Sequence, residues 1–172
     1  MTPAYDGHCY SVDEYRVMVL ASQIVPRRVI AHHTASPTLA NWLRWGGAHY
    51  MKTMRDYYDR KGWDCYPHCY CAPEGIWIMS PLGALNRGAG WSSIEDINVE
   101  IVGNFTAALP DGQVLYNALG CLTALLHKSG WGLGALVKHR DFNPNTECPG
   151  DMLVRNWYWF IEYVWMASAG VI

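Results

Sequence analysis

Residues 29–35 read VIAHHTA, a short apolar run that ends in two adjacent histidines. The apolar residues predict a buried strand, which the chain enters through Pro26-Arg27-Arg28. Neighbouring side chains of a strand point to opposite faces of the sheet, so His32 and His33 cannot both face one site. The sheet therefore begins here, and one histidine at the end of this strand is a candidate functional residue.

Helix and strand patterns alternate after this strand. Ser36-Pro37 predicts the start of a helix that runs to about Lys61, although Gly46-Gly47 weakens its middle. The later patterns are a hairpin (66–72 and 76–79), an irregular Gly-rich loop (80–96), a strand (97–102), a helix (114–128), a short strand (136–137) and a last helix (151–167). Interleaved strands and helices predict a mixed α/β (α+β) fold, with one domain over residues 1–172 and a central mixed sheet flanked by helices.

The composition limits the classes of partner. Hydrophobic residues make up 51% of the chain and charged residues 16%, which is typical of an ordered domain. A net charge of −2 argues against a broad basic surface for nucleic acid. Nine Trp and eleven Tyr, against three Phe, suit a wet groove that stacks sugars, and they also suit a core.

Membrane and targeting signals are not apparent in the sequence. No run of about twenty apolar residues exists, so we expect no membrane-spanning helix. Residues 1–16 are polar and include three acidic residues, unlike a signal peptide. We therefore expect a protein that is made in the cytoplasm, and we expect it to be a monomer.

Three residues from separate segments form a candidate metal site. His32 lies at the end of the first strand, His139 follows the last strand, and Cys148 lies in a loop nine residues later. Two imidazoles and a thiolate suit Zn²⁺, and three protein ligands leave the fourth position of a tetrahedral site for water. On spacing alone the alternative stays open, because a single histidine in a buried strand is commonly a hydrogen-bonded core residue.

The sequences of these segments resemble the type-2 N-acetylmuramoyl-L-alanine amidase family, which includes phage lysozyme-type amidases and peptidoglycan recognition proteins. The matching segments are VIAHHTA (29–35), GW (62–63), HCYCAPEG (68–75), NVEIVGN (98–104), KHR (138–140) and TECPG (146–150). The resemblance runs from about residue 28 to 165 and leaves residues 1–27 as an N-terminal extension. It implies an enzyme that hydrolyses the amide bond between N-acetylmuramic acid and L-alanine of peptidoglycan. It also implies that Zn²⁺ lies in a surface groove on His32, His139 and Cys148.

The resemblance also bears on the residue that moves the proton. Phage lysozyme-type members carry a catalytic Tyr directly before the hairpin histidine, where this chain has Pro67, with Tyr66 one position earlier. A shift of one residue turns a strand side chain to the other face. Members that resemble the anhydro-muramoyl amidases of the AmpD type use a Glu at the position of Glu100. Because an unpaired carboxylate is costly in an apolar strand, we expect Glu100 to be the general base, with Tyr66 as the reserve. The alternative is a strand residue that faces solvent.

Four further residues are candidates for roles around the metal. Thr146 corresponds to a family position next to the metal cysteine, and it is either a hydrogen-bond donor to the oxyanion or a cap of its loop. His68, Asn86 and Arg87 are candidate substrate contacts. Arg87 is suited to meet a carboxylate of the stem peptide.

The remaining cysteines and the aromatic C-terminal helix have simpler interpretations. Cys65, Cys69 and Cys71 match no strong zinc pattern and are expected to be small buried side chains, with a disulfide or a metal site as the alternative. The helix over 151–167 lacks the Lys/Arg face of a membrane-surface helix, so we expect it to pack on the sheet.

Three functions remain open at this point. We expect a phage-type lysin that reaches peptidoglycan after release from the cell or as a virion component. One alternative is a cytosolic enzyme that acts on soluble anhydro-muropeptides. The other is a non-catalytic peptidoglycan-binding protein, and the presence of Cys148 argues against it.

Overall fold

A computed structural model describes residues 7–63, 65–86, 88–89 and 93–171. Its helices and strands are, in chain order, β1 (Cys9–Tyr10), α1 (Val12–Ala21), β2 (Arg28–His33), α2 (Leu39–Trp45), α3 (Gly47–Arg60), β3 (Cys69–Ala72), β4 (Gly75–Ile78), β5 (Asp96–Ile101), α4 (Gly112–Ser129), β6 (Leu136–Lys138), α5 (Asp151–Arg155) and α6 (Trp157–Ser168). Short 3₁₀ turns at Gly132–Ala135 and His139–Asp141 flank β6.

The strands form one mixed sheet in the order β1-β4-β3-β5-β2-β6. β2 is parallel to both β5 and β6, and β5 is parallel to β3. β3 and β4 form the antiparallel hairpin that the sequence predicts, and β1 is antiparallel to β4. The predicted mixed α/β fold is therefore confirmed, and the carboxyl ends of β2, β5 and β6 meet at one edge of the sheet.

The two faces of the sheet carry different side chains because consecutive strand residues point to opposite sides. Val29, Ala31, Val99 and Ile101 join the larger apolar core under α1, α4 and α6. Tyr70 joins a smaller cluster with residues of α2 and α3 on the opposite face. The buried residues of α6 lie in the larger core, so the aromatic C-terminal helix packs on the sheet as expected.

Two predicted helices are each divided in two. Gly46, with φ of 84°, separates α2 from α3, and α2 begins after the N-cap Thr38 and not at Pro37. Asn156 separates α5 from α6, because its side-chain amide donates to the Met152 carbonyl at 2.8 Å and its backbone leaves the helical conformation. The prediction of one continuous helix over 37–61 and another over 151–167 was therefore wrong. The outer bounds of the two helix pairs nevertheless lie within two residues of the predicted bounds.

The N-terminal segment contributes two elements that the sequence pattern did not indicate. β1 pairs with β4, and Tyr15 and Val19 of α1 are fully buried in the larger core. The side chains of Ser11 and Glu14 form a capping box at the start of α1. This Ser-x-x-Glu spacing was the available signal for a helix, and α1 otherwise has a weak pattern of apolar residues.

The cysteines are free thiols in the structure. Cys69 and Cys71 are buried in the larger core, as expected, and Cys65 is half-buried. The alternative prediction of a disulfide was wrong, because Cys65, Cys69 and Cys71 are all free thiols. No helix in the described part of the chain combines the length and apolar character that crossing a bilayer requires.

The start of α3 lies tightly against the β3–β4 turn. Glu74 of this turn accepts hydrogen bonds from the indole nitrogens of Trp42 and Trp77, each at 2.9 Å. A Cβ atom built on Gly47 would overlap the Glu74 carboxylate and the Trp77 indole. Gly47 therefore allows the close approach that lets one carboxylate join α2 to the hairpin.

We expect Gly47→Ala to lower the free energy of unfolding by about 1–3 kcal/mol, because the added methyl group displaces Glu74 from its two indole donors. This loss outweighs the gain of up to about 1 kcal/mol that Ala brings to a helix. The measurement is urea unfolding monitored by circular dichroism. The control is Gly134→Ala, where an added Cβ meets no atom within 4 Å. A Gly47→Ala variant as stable as the parent would contradict the tight packing.

Candidate functional site

A groove opens at the edge of the sheet where β2, β5 and β6 end. Its volume is about 570 Å³. Its lining residues are His32, His33, Tyr58, Gly62, Trp63, Cys65, Pro67, Asn86, Gly88, Glu100, His139 and Cys148. The crevice beyond the carboxyl ends of parallel strands is the usual place for a ligand in such sheets, and here it contains titratable side chains, among them those of His, Cys and Glu residues.

His32, His139 and Cys148 converge at one end of the groove. One ligand atom from each residue lies within 4.8 Å of the others. His32 Nδ1 is 3.6 Å from Cys148 Sγ, and the two imidazole centroids are 4.6 Å apart. Within the described ranges, this is the one group of three or more His, Cys, Asp or Glu residues arranged to hold a metal ion. We call these three residues the donor cluster.

Neighbouring residues orient the donor cluster. His32 Nε2 lies 2.7 Å from Asn98 Oδ1, which accepts its hydrogen and leaves the Nδ1 lone pair directed at Cys148. The backbone N–H of His33 donates to Cys148 Sγ at 3.4 Å. His33 itself is held away from the cluster, because its Nδ1 accepts from the Phe105 backbone N–H at 3.1 Å. Of the two adjacent histidines, His32 is the one that joins the donor cluster.

The donor cluster is held in uncharged forms by burial. Burial, followed by the nearby His139, lowers the pKa of His32 to about 3, and burial lowers the pKa of His139. Burial and then the charge of Glu100 raise the pKa of the Cys148 thiol. His139 Nδ1 is a buried nitrogen without a hydrogen-bond partner among the described residues, an arrangement that costs about 1–3 kcal/mol. Two neutral imidazoles and a thiol fit a borderline-soft divalent cation such as Zn²⁺. The nitrogen of His139 that has no hydrogen-bond partner is available to such an ion.

The loop that carries His139 and Cys148 is fixed by polar contacts. Arg140 donates to the Asp151 carboxylate at 2.8 Å and to the Glu147 carbonyl at 2.7 Å. Thr146 Oγ1 accepts from the Cys148 backbone N–H at 3.2 Å. Thr146 is not among the residues that line the groove. Thr146 Oγ1 therefore caps the loop in the structure, and its role as a hydrogen-bond donor to the oxyanion stays a prediction.

Glu100 lies beside the donor cluster on the central strand β5. It pairs in register with His32 of β2, and Glu100 Oε1 is 3.9 Å from His32 Nδ1. Its side chain is 14% exposed and faces the groove, so the alternative of a solvent-facing strand residue does not describe it. Burial raises the pKa of Glu100 to about 8. A carboxyl group with this pKa can hold or release a proton near neutral pH.

Four other candidates from the sequence lie at the edge of the groove or outside it. Tyr66 does not line the groove, and its hydroxyl donates to the Asp59 carboxylate on α3. His68 is fully buried, where its Nδ1 accepts from the Asn98 backbone N–H at 3.0 Å and its Nε2 contacts the Ala84 carbonyl at 3.1 Å. A substrate contact for His68 is therefore not what the structure shows. Asn86 lines the groove but donates to the Tyr66 carbonyl. Arg87 lies outside the described residues.

Tyr58 and Trp63 are groove residues that sequence reasoning did not identify. Tyr58 recurs with Met51 and Met54 at helical spacing in α3, and this spacing by itself indicates only the apolar face of a helix. The ring of Tyr58 stacks on Trp63, with centroids 5.4 Å apart and an interplanar angle of 26°. The sequence does place Tyr58 four residues before Gly62-Trp63, one of the segments that resemble the amidase family, and this proximity could have indicated a residue of the groove.

A second cleft, of about 660 Å³, lies between α1, α4 and α6. Its lining is mostly apolar and includes Leu20, Leu115 and Leu133. The donor cluster and Glu100 lie elsewhere, in the smaller groove. The side chains that line the groove at the carboxyl edge, and not its size, therefore make it the candidate functional site.

Comparison with known proteins gives the family of the chain. Residues 22–151 match the model of the N-acetylmuramoyl-L-alanine amidase family. Peptidoglycan-recognition protein 1 of Holotrichia diomphalia is 27% identical over 140 residues, which cover 77% of this chain and 70% of the relative.

Two solved structures show the same fold. A mutant of Drosophila PGRP-LB in complex with tracheal cytotoxin has a TM-score of 0.67 and 17% identity, over 92% of this chain and 89% of that one. The endolysin of Thermus scotoductus MAT2119 bacteriophage Ph2119 has a TM-score of 0.63 and 19% identity, over 83% of this chain and 87% of that one. Because the family model spans more than half of the chain, the protein belongs to the N-acetylmuramoyl-L-alanine amidase family and is an amidase.

Proposed function

We propose that this amidase hydrolyses the bond between N-acetylmuramic acid and L-alanine in peptidoglycan with a Zn²⁺ ion held by His32, His139 and Cys148. The observation that carries the proposal is the meeting of one donor atom from each of these residues within 4.8 Å, beside the buried carboxyl group of Glu100. His139 Nδ1 also has no hydrogen-bond partner among the described residues. The bond in this proposal is the one that the family is named for, the amide between N-acetylmuramic acid and L-alanine.

The donor cluster supplies the ligands in this proposal. His32 Nδ1, His139 Nδ1 and Cys148 Sγ would hold the ion, and Asn98 keeps the hydrogen of His32 on Nε2. When bound, Zn²⁺ polarises an amide carbonyl and lowers the pKa of water toward about 7. Three protein ligands leave room for water or substrate, as in catalytic and not structural zinc sites.

Glu100 is the general base in this proposal. It takes a proton from the attacking water and passes that proton to the departing nitrogen of L-alanine. Its raised pKa makes the carboxylate a stronger base than one in water. Glu100 lines the groove, and its Oε1 lies 3.9 Å from His32 Nδ1 of the donor cluster. The hydroxyl hydrogen of Thr146, which the bond from Cys148 N–H does not use, is available to donate to the oxyanion.

The biological role that we propose is lysis of the cell wall, with the protein acting on peptidoglycan after release or as a virion component. Similarity to a phage endolysin supports this role. The sequence-based alternative, an enzyme of soluble anhydro-muropeptides, is favoured by the Glu100 position. The two roles differ in the preferred substrate, which is intact sacculi for a lysin and soluble muropeptide for the alternative. A complete donor cluster argues against a protein that only binds peptidoglycan.

Replacement of a cluster ligand is expected to remove both metal and activity. Cys148→Ala should bind well under one equivalent of zinc and should lose about 10³-fold or more in amide hydrolysis, because several kcal/mol of transition-state stabilisation go with the ion. The measurements are zinc content by elemental analysis and mass spectrometry of peptides released from purified sacculi. Cys9→Ser, at the opposite edge of the sheet, is the control and should keep zinc and activity. Full activity of Cys148→Ala, or of the parent after thorough chelation, would rule the proposal out.

Replacement of the base is expected to remove activity without removing metal. Glu100→Gln should retain one equivalent of zinc while kcat falls about 10²- to 10⁴-fold, the range for loss of a general base. Glu95→Gln, an exposed carboxylate just before β5, is the matched control. Near-normal turnover of zinc-loaded Glu100→Gln would move the base role to another group. The reserve is Tyr66, and Tyr66→Phe would then lower kcat, whereas the present proposal expects it to leave kcat unchanged.

A further inference from the structure

A row of side chains crosses the sheet on the face that bears the groove. Tyr70 of β3, Glu100 of β5 and His32 of β2 are paired in register across three parallel strands. Neighbouring strands are about 4.8 Å apart, so each side chain lies directly beside the next. The donor cluster lies at the His32 end of this row. Glu100 is in the middle, and a phenol occupies the other end.

Tyr58 extends this row from the sheet to the wall of the groove. Its hydroxyl lies 3.5 Å from the hydroxyl of Tyr70. Its ring is fixed by the stack on Trp63 and by an edge contact with Tyr66 at 5.7 Å between centroids. Tyr70 is 1% exposed and cannot reach a ligand, whereas Tyr58 is part of the groove lining. Of the two phenols, Tyr58 is therefore the one that a substrate can touch.

The contact with Tyr70 bears on the direction of the Tyr58 hydroxyl hydrogen. A buried tyrosine hydroxyl needs a hydrogen-bond partner, and the Tyr58 hydroxyl can either accept from Tyr70 or donate to it. If Tyr70 donates to Tyr58, the hydrogen of Tyr58 is directed away from Tyr70 and into the groove. Burial, followed by the charge of Glu100, raises the pKa of Tyr58 to about 12, so the group keeps this hydrogen at neutral pH.

We propose that Tyr58 is a substrate-contacting residue whose hydroxyl donates a hydrogen bond to an amide carbonyl oxygen next to the scissile bond, from the groove wall opposite the donor cluster. The acceptor is a neutral carbonyl because the described residues that line the groove include no Lys or Arg to pair with an anionic group. Muramoyl peptides carry several such carbonyls on both sides of the bond. The proposal rests on the proposed peptidoglycan substrate, and it adds a residue from α3 to a site otherwise built at strand ends.

The test compares Tyr58→Phe with Tyr57→Phe in the zinc-loaded protein. Phe at position 58 keeps the stack on Trp63 and removes only the hydroxyl. Tyr57, the adjacent tyrosine of α3, is 45% exposed and does not line the groove, so its variant is the matched control. The probe is N-acetylmuramoyl-L-alanyl-D-isoglutamine. Its Kd is measured by calorimetry on chelated, metal-free protein, and kcat and KM are measured on zinc-loaded protein.

We expect Tyr58→Phe to raise the Kd about 3- to 10-fold, the usual effect of one hydrogen bond, and to lower kcat/KM at least as much. Zinc content and the midpoint of thermal unfolding should stay at the parent values. Tyr57→Phe should match the parent in every measurement. Tyr70→Phe removes the buried partner but leaves the Tyr58 hydroxyl in the groove, so its Kd should stay within about twofold of the parent.

Equal Kd and equal kcat/KM for Tyr58→Phe and the parent would overturn the inference. A lower unfolding midpoint with unchanged Kd would also overturn it, because Tyr58 would then serve only the fold. A parent protein that binds the probe but does not cleave it would refute the proposed hydrolysis, while the Kd comparison would still decide the role of Tyr58. A parent that neither binds nor cleaves would refute both.

Discussion

Parallel pairing of β2 with β5 and β6 is the constraint on which the functional site depends. The register places His32 beside Glu100 and brings the start of the His139 turn next to His32. Side chains one position earlier or later point into the apolar core, so a slip of one residue would bury the polar row and expose Val99 and Ile101. The apolar face of these strands thus stabilises the sheet, and the same alternation fixes which residues face the groove.

Burial gives the site its chemical character. Two imidazoles with lowered pKa values, a thiol with a raised pKa and a carboxyl group with a pKa raised to about 8 lie within one small region. Each group is uncharged or nearly so because the surroundings disfavour the charged form. A divalent cation would reverse this balance for the thiol and would use the lone pair of His139 that has no partner. The groups that are costly to bury are the groups that the proposed mechanism uses.

Much of the fold and the donor cluster could be predicted from the sequence, for identifiable reasons. The strand over residues 29–33 begins with the apolar run Val29-Ile30-Ala31, which indicates burial. The donor cluster followed from the resemblance of three segments to the amidase family, because their spacing alone left the alternative of a core histidine open. The broken helices at Gly46 and Asn156 depend on backbone conformations that apolar periodicity does not report. The burial of His68 and the direction of Tyr66 depend on contacts with Asn98, Ala84 and Asp59, which are distant in sequence or on another element. Tyr58 was missed because an apolar stripe on a helix does not reveal which member lies at a groove.

The most direct test of the central claim is X-ray absorption at the zinc edge of the loaded protein in solution. The donor cluster predicts one sulfur scatterer at about 2.3 Å, two imidazole nitrogens at about 2.0–2.1 Å and one further light atom, in a four-coordinate site. Such a spectrum would match one cysteine and two histidines as the protein ligands of a catalytic and not a structural ion, and its loss in Cys148→Ala would assign the sulfur to Cys148. A spectrum without sulfur, or with more than one sulfur, would contradict the donor cluster and with it the proposed mechanism.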